Sequence, residues 1–343
     1  MNKEVKDIEV SVVMPVYNSQ QFVGKAISSI LKQSFRKFEF IIINDGSNDK
    51  SEEIILSFKD ERIIYVNNKK NLGLIASLNI GIQKSKGKYI ARMDADDISL
   101  SSRFEHQVNF LNQNPGIGVC GSWYYSFPSF PLIKVKGHSD SEILRTVLLF
   151  SPCLCHPATM IRKKVLTENN LQYSENAKHL EDYDLWVRMS SYCKISNVGK
   201  FLFRYRNHPG QISNTHNAIQ KKSGNLIREK YLSQLGFTFS VEELSMHNFI
   251  SSNAFIKSKN QLSKIENWLI TLCKQNSEIN KIDKMAFNYF IGKMWADSCG
   301  NTNLGIWAFN TYFKSEIALN YPMNSKDKIK FRAKCLLRKF KKI

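Results

Sequence analysis

The sequence has little that would suit an oxidising compartment or an export route. Its 343 residues carry seven cysteines, an odd and scattered set, and the one close pair, Cys153 and Cys155, has a spacing that suits neither a zinc knuckle nor a redox CxxC. Reduced thiols in a cytoplasmic protein are the expectation. No apolar segment follows the charged start of Lys3, Glu4, Lys6 and Asp7, which argues against a secretory signal. No run approaches the ~20 consecutive apolar residues of a spanning helix, so any membrane contact is expected to be peripheral. Internal repeats and long low-complexity tracts are missing, and no Ser-His-Asp or Cys-His order stands out to suggest a covalent nucleophile. Acidic charge is also short: 49 Lys and Arg against 30 Asp and Glu leave a net +19. Such a balance draws a protein toward polyanions, whether nucleic acid, nucleotide phosphates or an anionic lipid surface. What is present, 43% apolar and 12% aromatic positions, is enough for a full core in one or two domains.

Strand and helix signals alternate through the first hundred residues. Val10 to Val16 is a β-branched run, and Gln20 to Gln33 then spaces Phe22, Ala26, Ile30 and Leu31 as a helix does. Phe38 to Ile43 is too continuously apolar for a half-exposed strand and ends in Asn44-Asp45-Gly46-Ser47, a loop that feeds a helix from about Lys50. Arg62 to Val66 reads as a third strand, Ile75 to Lys84 as a helix, and Lys88 to Met93 as a fourth strand running into Asp94-Ala95-Asp96-Asp97. Crossovers this short predict an α/β fold with a mostly parallel sheet, whose ligand site lies at the carboxyl ends of the strands. Tyr17-Asn18, Asn44-Asp45 and Asp94 to Asp97 all follow predicted strand ends, so they should meet in one crevice. From Cys120 to about Ser213 the pattern loosens into aromatic segments, which suggests the other half of the same domain. Beyond Asn217 helical periodicity dominates, with Trp268, Trp295 and Trp307 as expected packing residues.

Asp94-Ala95-Asp96 places hard oxygen donors at a strand end, where a divalent cation and a diphosphate can share one site. Four motifs set this pair in context: Ser11-Val12-Val13-Met14-Pro15-Val16-Tyr17-Asn18, Ile43-Asn44-Asp45-Gly46-Ser47, Asn71-Leu72-Gly73 with Asn79-Ile80-Gly81, and Asp94-Ala95-Asp96-Asp97. In order and spacing they resemble the successive motifs of glycosyltransferase family 2. His156-Pro157-Ala158-Thr159 and Glu181-Asp182-Tyr183-Asp184-Leu185-Trp186 continue the resemblance, which extends to about residue 215 and leaves out the C-terminal region.

The resemblance implies a GT-A fold over 1–215, with a nucleotide-sugar half over about 1–119 and an acceptor half over 120–215; the helical periodicity beyond it predicts a separate helical region over 216–343. It implies a nucleotide-sugar donor, most often a UDP-sugar, and a saccharide acceptor, lipid-linked in relatives that build surface polysaccharides. Pro15, Val16, Tyr17 and Asn18 would border the base and ribose, Asp45 would accept from the base, and Asn71 and Gly73 would belong to the donor site. Asp94 would approach the ribose or metal, Ala95 would belong to the donor site, and Asp96 would hold Mn²⁺ or Mg²⁺ on the diphosphate, with His208 open between a second metal ligand and structural packing. Asp182 would be the base, with Glu181 beside it in the catalytic pair. The residues support that last reading themselves: Glu181, Asp182 and Asp184 stand beside apolar Leu185-Trp186, where burial and repulsion lift a carboxyl pKa toward the range of a general base. Arg204 or Arg206 would offset phosphate charge. Leu78 departs from the family pattern, since many relatives carry an arginine there. His156 is open between core packing and a place near the acceptor.

Two other classes share some of these features. A nucleotidyltransferase has a similar layout, but no Gly-rich segment with a following cation stands at the first strand end. A nucleic-acid-binding protein would explain the +19, yet the crevice gathers acids that repel a phosphate backbone, so no nucleic-acid partner is expected. The charge is densest in the tail. Lys326 to Ile343 holds nine Lys or Arg and one Asp, with Ile329, Ala333, Leu336, Phe340 and Ile343 near helical spacing. That pattern predicts a cationic amphipathic helix suited to an anionic membrane, and with it a peripheral location on the inner face of the plasma membrane.

Overall fold

Val10–Val16 (β1) is buried along almost its whole length, as a central parallel strand must be, and helix Val23–Leu31 (α1) turns Val23, Ala26, Ile27 and Ile30 inward at helical spacing. These elements belong to a computed structural model that describes residues 7–128, 131–208 and 217–338. Lys3, Glu4, Lys6, Ser213, Phe340 and Ile343, used in the sequence reading, lie outside the described residues. The alternation continues through Phe38–Asn44 (β2), Ser51–Ser57 (α2), Ile63–Asn67 (β3), Leu74–Lys84 (α3), Tyr89–Arg92 (β4), Ile98–Ser99 (β5) and Arg103–Gln113 (α4). Then come Ile117–Phe127 (β6), Ile133–Val135 (β7), Ser141–Val147 (α5), Met160–Arg162 (β8), Lys163–Glu168 (α6), Glu181–Met189 (α7) and Lys194–Arg206 (β9).

The sheet runs β3-β2-β1-β4-β8-β6-β9-β5, with β7 added on β6. Its first four strands are parallel, so their carboxyl ends share one edge, while β8 joins β4 in antiparallel register. This is the α/β, mostly parallel sheet that the sequence predicts. Glu39 is the one acid in β2, and at 3% exposure it is stabilised by Ser11 Oγ–H and Lys86 N–H, each donating over 2.6 Å to its Oε1.

The chain folds as two compact units, Met1–Ser141 with Pro152–Ser223, and Glu142–Ser151 with Gly224–Ile343. The second unit is helical, built on the part of Asn217–Leu235 (α8) from Gly224 on, Val241–Ser251 (α9), Lys259–Ile279 (α10), Lys284–Cys299 (α11), Ile306–Lys314 (α12) and Ser325–Arg338 (α13). Trp268 and Trp295 are fully enclosed, while Trp307 is half-buried under the Lys259 ammonium, 5.0 Å from its ring centre. Phe150 packs into this unit against His247, whose Nε2–H donates to Leu149 O over 2.7 Å and whose Nδ1 accepts from Trp268 Nε1–H over 3.2 Å. All seven cysteines are free thiols. Among the described residues no helix is long and apolar enough to cross a membrane.

Candidate active site

The loops that leave β1 and β2 are laced to each other. Asn18 takes a left-handed backbone (φ 46°), its side-chain oxygen accepts from Asn48 N–H over 2.9 Å, and its own N–H donates to Ser47 Oγ over 3.1 Å. It therefore ties two strand ends together. Asp45 is buried at 3% exposure and accepts from Asn68 Nδ2 (2.7 Å), Leu72 N–H (3.0 Å) and Gly73 N–H (2.9 Å). One carboxylate thus fixes the loop ahead of α3. Gly46 is required at its φ of 69°, and a Cβ there would stand 2.6 Å from the Lys70 carbonyl carbon.

After β4 the chain delivers Asp94, Asp96 and Asp97, whose oxygens lie within 4.8 Å of one another. Each is held differently. Asp94 is paired with the Arg92 guanidinium, Asp96 Oδ2 lies 2.8 Å from His208 Nε2, and buried Asp97 accepts from Arg206 N–H over 2.7 Å. Burial lifts the Asp94 pKa, with Arg92 opposing and Asp96 adding to the rise. Burial and then the charges of Asp94 and Asp96 push Asp97 well above the usual carboxylate range. Packing acids this closely is unfavourable without a countercharge, and hard oxygens beside an imidazole suit Mg²⁺ or Mn²⁺.

Pro15, Val16, Tyr17, Asp45, Asn71, Gly73, Asp94, Ala95, Asp96 and Glu181 all line one cavity of about 550 Å³. Of the residues chosen from sequence, Asn18, Asp182 and His208 stand outside that lining: the first braces the strand-end loops, the last stands behind Asp96. A larger cavity of about 730 Å³ opens at the other ends of the strands. Two of its lining cations pair with lining acids, Lys37 with Asp7 at 3.1 Å and Arg62 with Asp60 at 2.8 Å, and it gathers none of the strand-end motifs, so size does not mark the reactive site.

The profile for glycosyl transferase family 2 matches residues 11–169. A Haemophilus influenzae protein described as an uncharacterized glycosyltransferase is 35% identical over 279 residues, 73% of this chain and 83% of its own length. The chain belongs to glycosyltransferase family 2. A Methanocaldococcus jannaschii protein, also an uncharacterized glycosyltransferase, is 36% identical over 206 residues, or 57% of this chain and 70% of that one. Among solved structures, residues 1–349 of TarS from S. aureus resemble it in fold, with a TM-score of 0.55 at 14% identity over 92% of this chain and 89% of that one. TarS has also been solved with UDP and with UDP-GlcNAc.

In this glycosyltransferase Glu181 and Asp182 open α7, and burial raises the pKa of both. Asp182 adds to the rise at Glu181, Asp94 raises both, and Arg92 is the cation opposing it at both. Glu181 is 7% exposed, whereas Asp182 is half-buried and accepts from Tyr183 N–H over 2.8 Å. The third acid is spent: Asp184 pairs with Arg188 one turn on, at 2.6 Å. His156 Nε2 lies 2.8 Å from Tyr173 Oη, its ring is edge-on to Trp186, and burial pushes its pKa well down. These are the contacts of a packed imidazole.

Two cations carry weight that the sequence reading did not assign. Arg92 is 3% exposed and faces Asp94, Glu181 and Asp182 together. Its signal was available as a lone charge in the apolar run Tyr89 to Met93. Lys178 lines the cavity from the turn before α7, and no spacing in the sequence points to it. Leu78 is buried at 1% exposure, so α3 sends no cation into the cavity from that position. Arg206 is committed elsewhere: its Nε–H donates to Asp96 O over 2.6 Å, and its guanidinium lies between Phe22 and Phe127, 4.5 and 4.4 Å from their ring centres.

Proposed function

We propose that the protein transfers a sugar from a nucleotide-sugar, of the UDP-sugar type, to a hydroxyl of a saccharide acceptor with inversion at the anomeric carbon. The observation that carries this is the single cavity in which the β1 and β2 loops, the Asp94–Asp96 carboxylates and Glu181 all take part. Its β1 and Asn71–Gly73 walls fit a nucleoside, its acids fit a metal-bound diphosphate, and the TarS complexes with UDP and UDP-GlcNAc supply a precedent in a related fold. The donor then rests on 1–119, with Lys178 and Glu181 reaching it from 120–215, where the acceptor belongs.

Asp96, with Asp94 and His208 beside it, would hold Mn²⁺ or Mg²⁺, which when bound neutralises charge on the diphosphate leaving group. Asp182 takes the proton from the acceptor hydroxyl as that oxygen attacks the face opposite the diphosphate. Its raised pKa makes it a stronger base than an exposed carboxylate, and it is more open than Glu181. Glu181 closes the donor side, and Lys178 is the cation on the cavity wall. A single displacement needs no covalent intermediate.

A nucleoside-diphosphate-release assay across UDP-, GDP- and dTDP-sugars with a saccharide acceptor tests the reading. Asp96→Ala should abolish Mn²⁺-dependent turnover. Asp182→Asn should keep donor affinity and lose transfer by about 10²- to 10⁴-fold, the usual contribution of a general base. Full turnover in Asp182→Asn with loss in Glu181→Gln would move the base to Glu181, and turnover with neither metal nor Asp96 would refute the metal site.

A further inference from the structure

The last helix turns one apolar face into its own unit and leaves a second one in water. Phe331 and Cys335 are the inward pair: Phe331 packs against Phe309 and Tyr312, with ring centres 5.8 and 5.0 Å apart, and Cys335 Sγ–H donates to Cys299 O over 3.6 Å. On the opposite side Ile329 is 70% exposed, Leu337 69% and Leu336 37%, with Ala333 exposed among them. At 100° per residue these four fall within an arc of about 100°. Lys330 follows one edge of that arc and Arg332, with Lys328 beyond it, the other; Lys326 falls inside the arc one turn before Ile329, and Asp327 is the helix's only acid. Among the described residues Lys326, Lys330 and Arg332 have no ion-pair partner, whereas Lys334 reaches Asp297 at 3.4 Å.

We propose that this face of α13 docks the enzyme on the surface of a bilayer rich in anionic lipid. The order of the chemistry decides the occupant. Apolar side chains bounded on both edges by cations match a layer of hydrocarbon under a plane of negative headgroups. A nucleic-acid backbone would meet the lysines and leave Ile329, Leu336 and Leu337 in water. A second copy of this chain would bring like charge against like charge, in a protein whose net charge is already +19. The inward anchor at Phe331 and Cys335 keeps the outer face displayed without unfolding the unit. Docking of this kind makes no use of the donor cavity, so it stands or falls separately from the proposed transfer reaction.

Flotation of the full chain with vesicles tests it. The protein should float with mixed phosphatidylglycerol–phosphatidylcholine vesicles, stay behind with pure phosphatidylcholine, and detach as salt is raised. Ile329→Asp with Leu337→Asp should lower the partition coefficient at least about tenfold. Lys326→Gln, Lys330→Gln and Arg332→Gln together, at about fivefold per charge, should lower it on the order of a hundredfold. Donor hydrolysis in solution should be unchanged in both sets, which shows that the fold is intact. The proposal is overturned if wild type does not float, if it floats equally with neutral vesicles, or if both variants float as wild type does. It is equally overturned if the apolar pair instead abolishes a dimer seen by light scattering.

Discussion

Replacing Asp45 by alanine should release the loop that carries Asn71 and Gly73 more than it disturbs the sheet beneath. The carboxylate accepts from Asn68 Nδ2, Leu72 N–H and Gly73 N–H at 2.7, 3.0 and 2.9 Å. Hydrogen bonds to a charged group contribute about 1.5–3 kcal/mol each. The gross sum overstates the loss, because Leu72 is 45% exposed and water replaces part of what Asp45 gave. A net of about 2–3 kcal/mol is reasonable, which is about 30- to 150-fold in the population of the closed loop. Amide exchange at Leu72 and Gly73 should accelerate by that factor, and donor KM should rise while kcat changes less, since Asp182 and Asp96 are untouched. Asn68→Ala removes one donor from behind the cavity wall and should reproduce a fraction of the effect, with the two substitutions less than additive in combination. Unchanged exchange at Leu72 and Gly73 in Asp45→Ala would show that the loop holds itself, and would refute the reasoning.

The raised carboxyls of α7 predict a pH dependence with a definite sign. Glu181 and Asp182 are protonated more readily folded than unfolded, so their contribution to stability is present at low pH and is lost as pH rises through their raised pKa values. Asp182→Asn should therefore raise Tm at pH 8 more than at pH 5, while wild-type transfer falls with acidification as Asp182, the proposed base, protonates; a Tm gain independent of pH would count against this. His247 carries the opposite dependence. Burial lowers its pKa from 6.5 to about 4, so its contribution is full above the unfolded value and is lost as pH falls from there toward the folded one. The shift corresponds to about 3 kcal/mol for this enclosed group, and urea unfolding followed by Trp268 fluorescence should weaken on that scale between pH 7.5 and 4.5. His247→Gln, which titrates nowhere in that window, should flatten the dependence even though it costs stability at every pH.

What could be read from sequence was the part written by strand periodicity. Alternation of β-branched runs with helical spacing located β1 to β4 within a residue or two, and the polar clusters after each run fell on the carboxyl edge because parallel strands put their ends there. Residues whose place depends on distant packing were not legible. Glu142–Ser151 reads as part of the aromatic middle segment, yet it packs with the helices, where Phe150 stacks on His247 and Leu149 O accepts its Nε2–H. Nothing local to that segment announces partners about a hundred residues away. Asp182 and Glu181 look alike in sequence, and only the pitch of α7 turns Glu181 toward the cavity. In the tail, the spacing of Ile329, Ala333 and Leu336 was visible, but not that Phe331 and Cys335 would be the pair drawn inward.

Arg206 shows how far the carboxylate site depends on a segment that closes the first unit. Its backbone N–H donates to Asp97 Oδ1 and its Nε–H holds the Asp96 carbonyl, so one residue grips two neighbours in the acidic turn from the end of β9. The rings of Phe22 and Phe127 on either side of the guanidinium fix its direction. His208 follows two residues on and reaches the Asp96 carboxylate, which places an imidazole beside the acids only if Arg206 is seated. Arg206→Lys keeps the charge but cannot span the same partners, because an ammonium lacks the planar fork that lies between two rings. The substitution should therefore weaken Mn²⁺ binding, read by isothermal titration, by about tenfold or more, the range found when a group that orients metal ligands is removed. A full-affinity Arg206→Lys protein would mean that Asp96 and His208 find each other without the clamp.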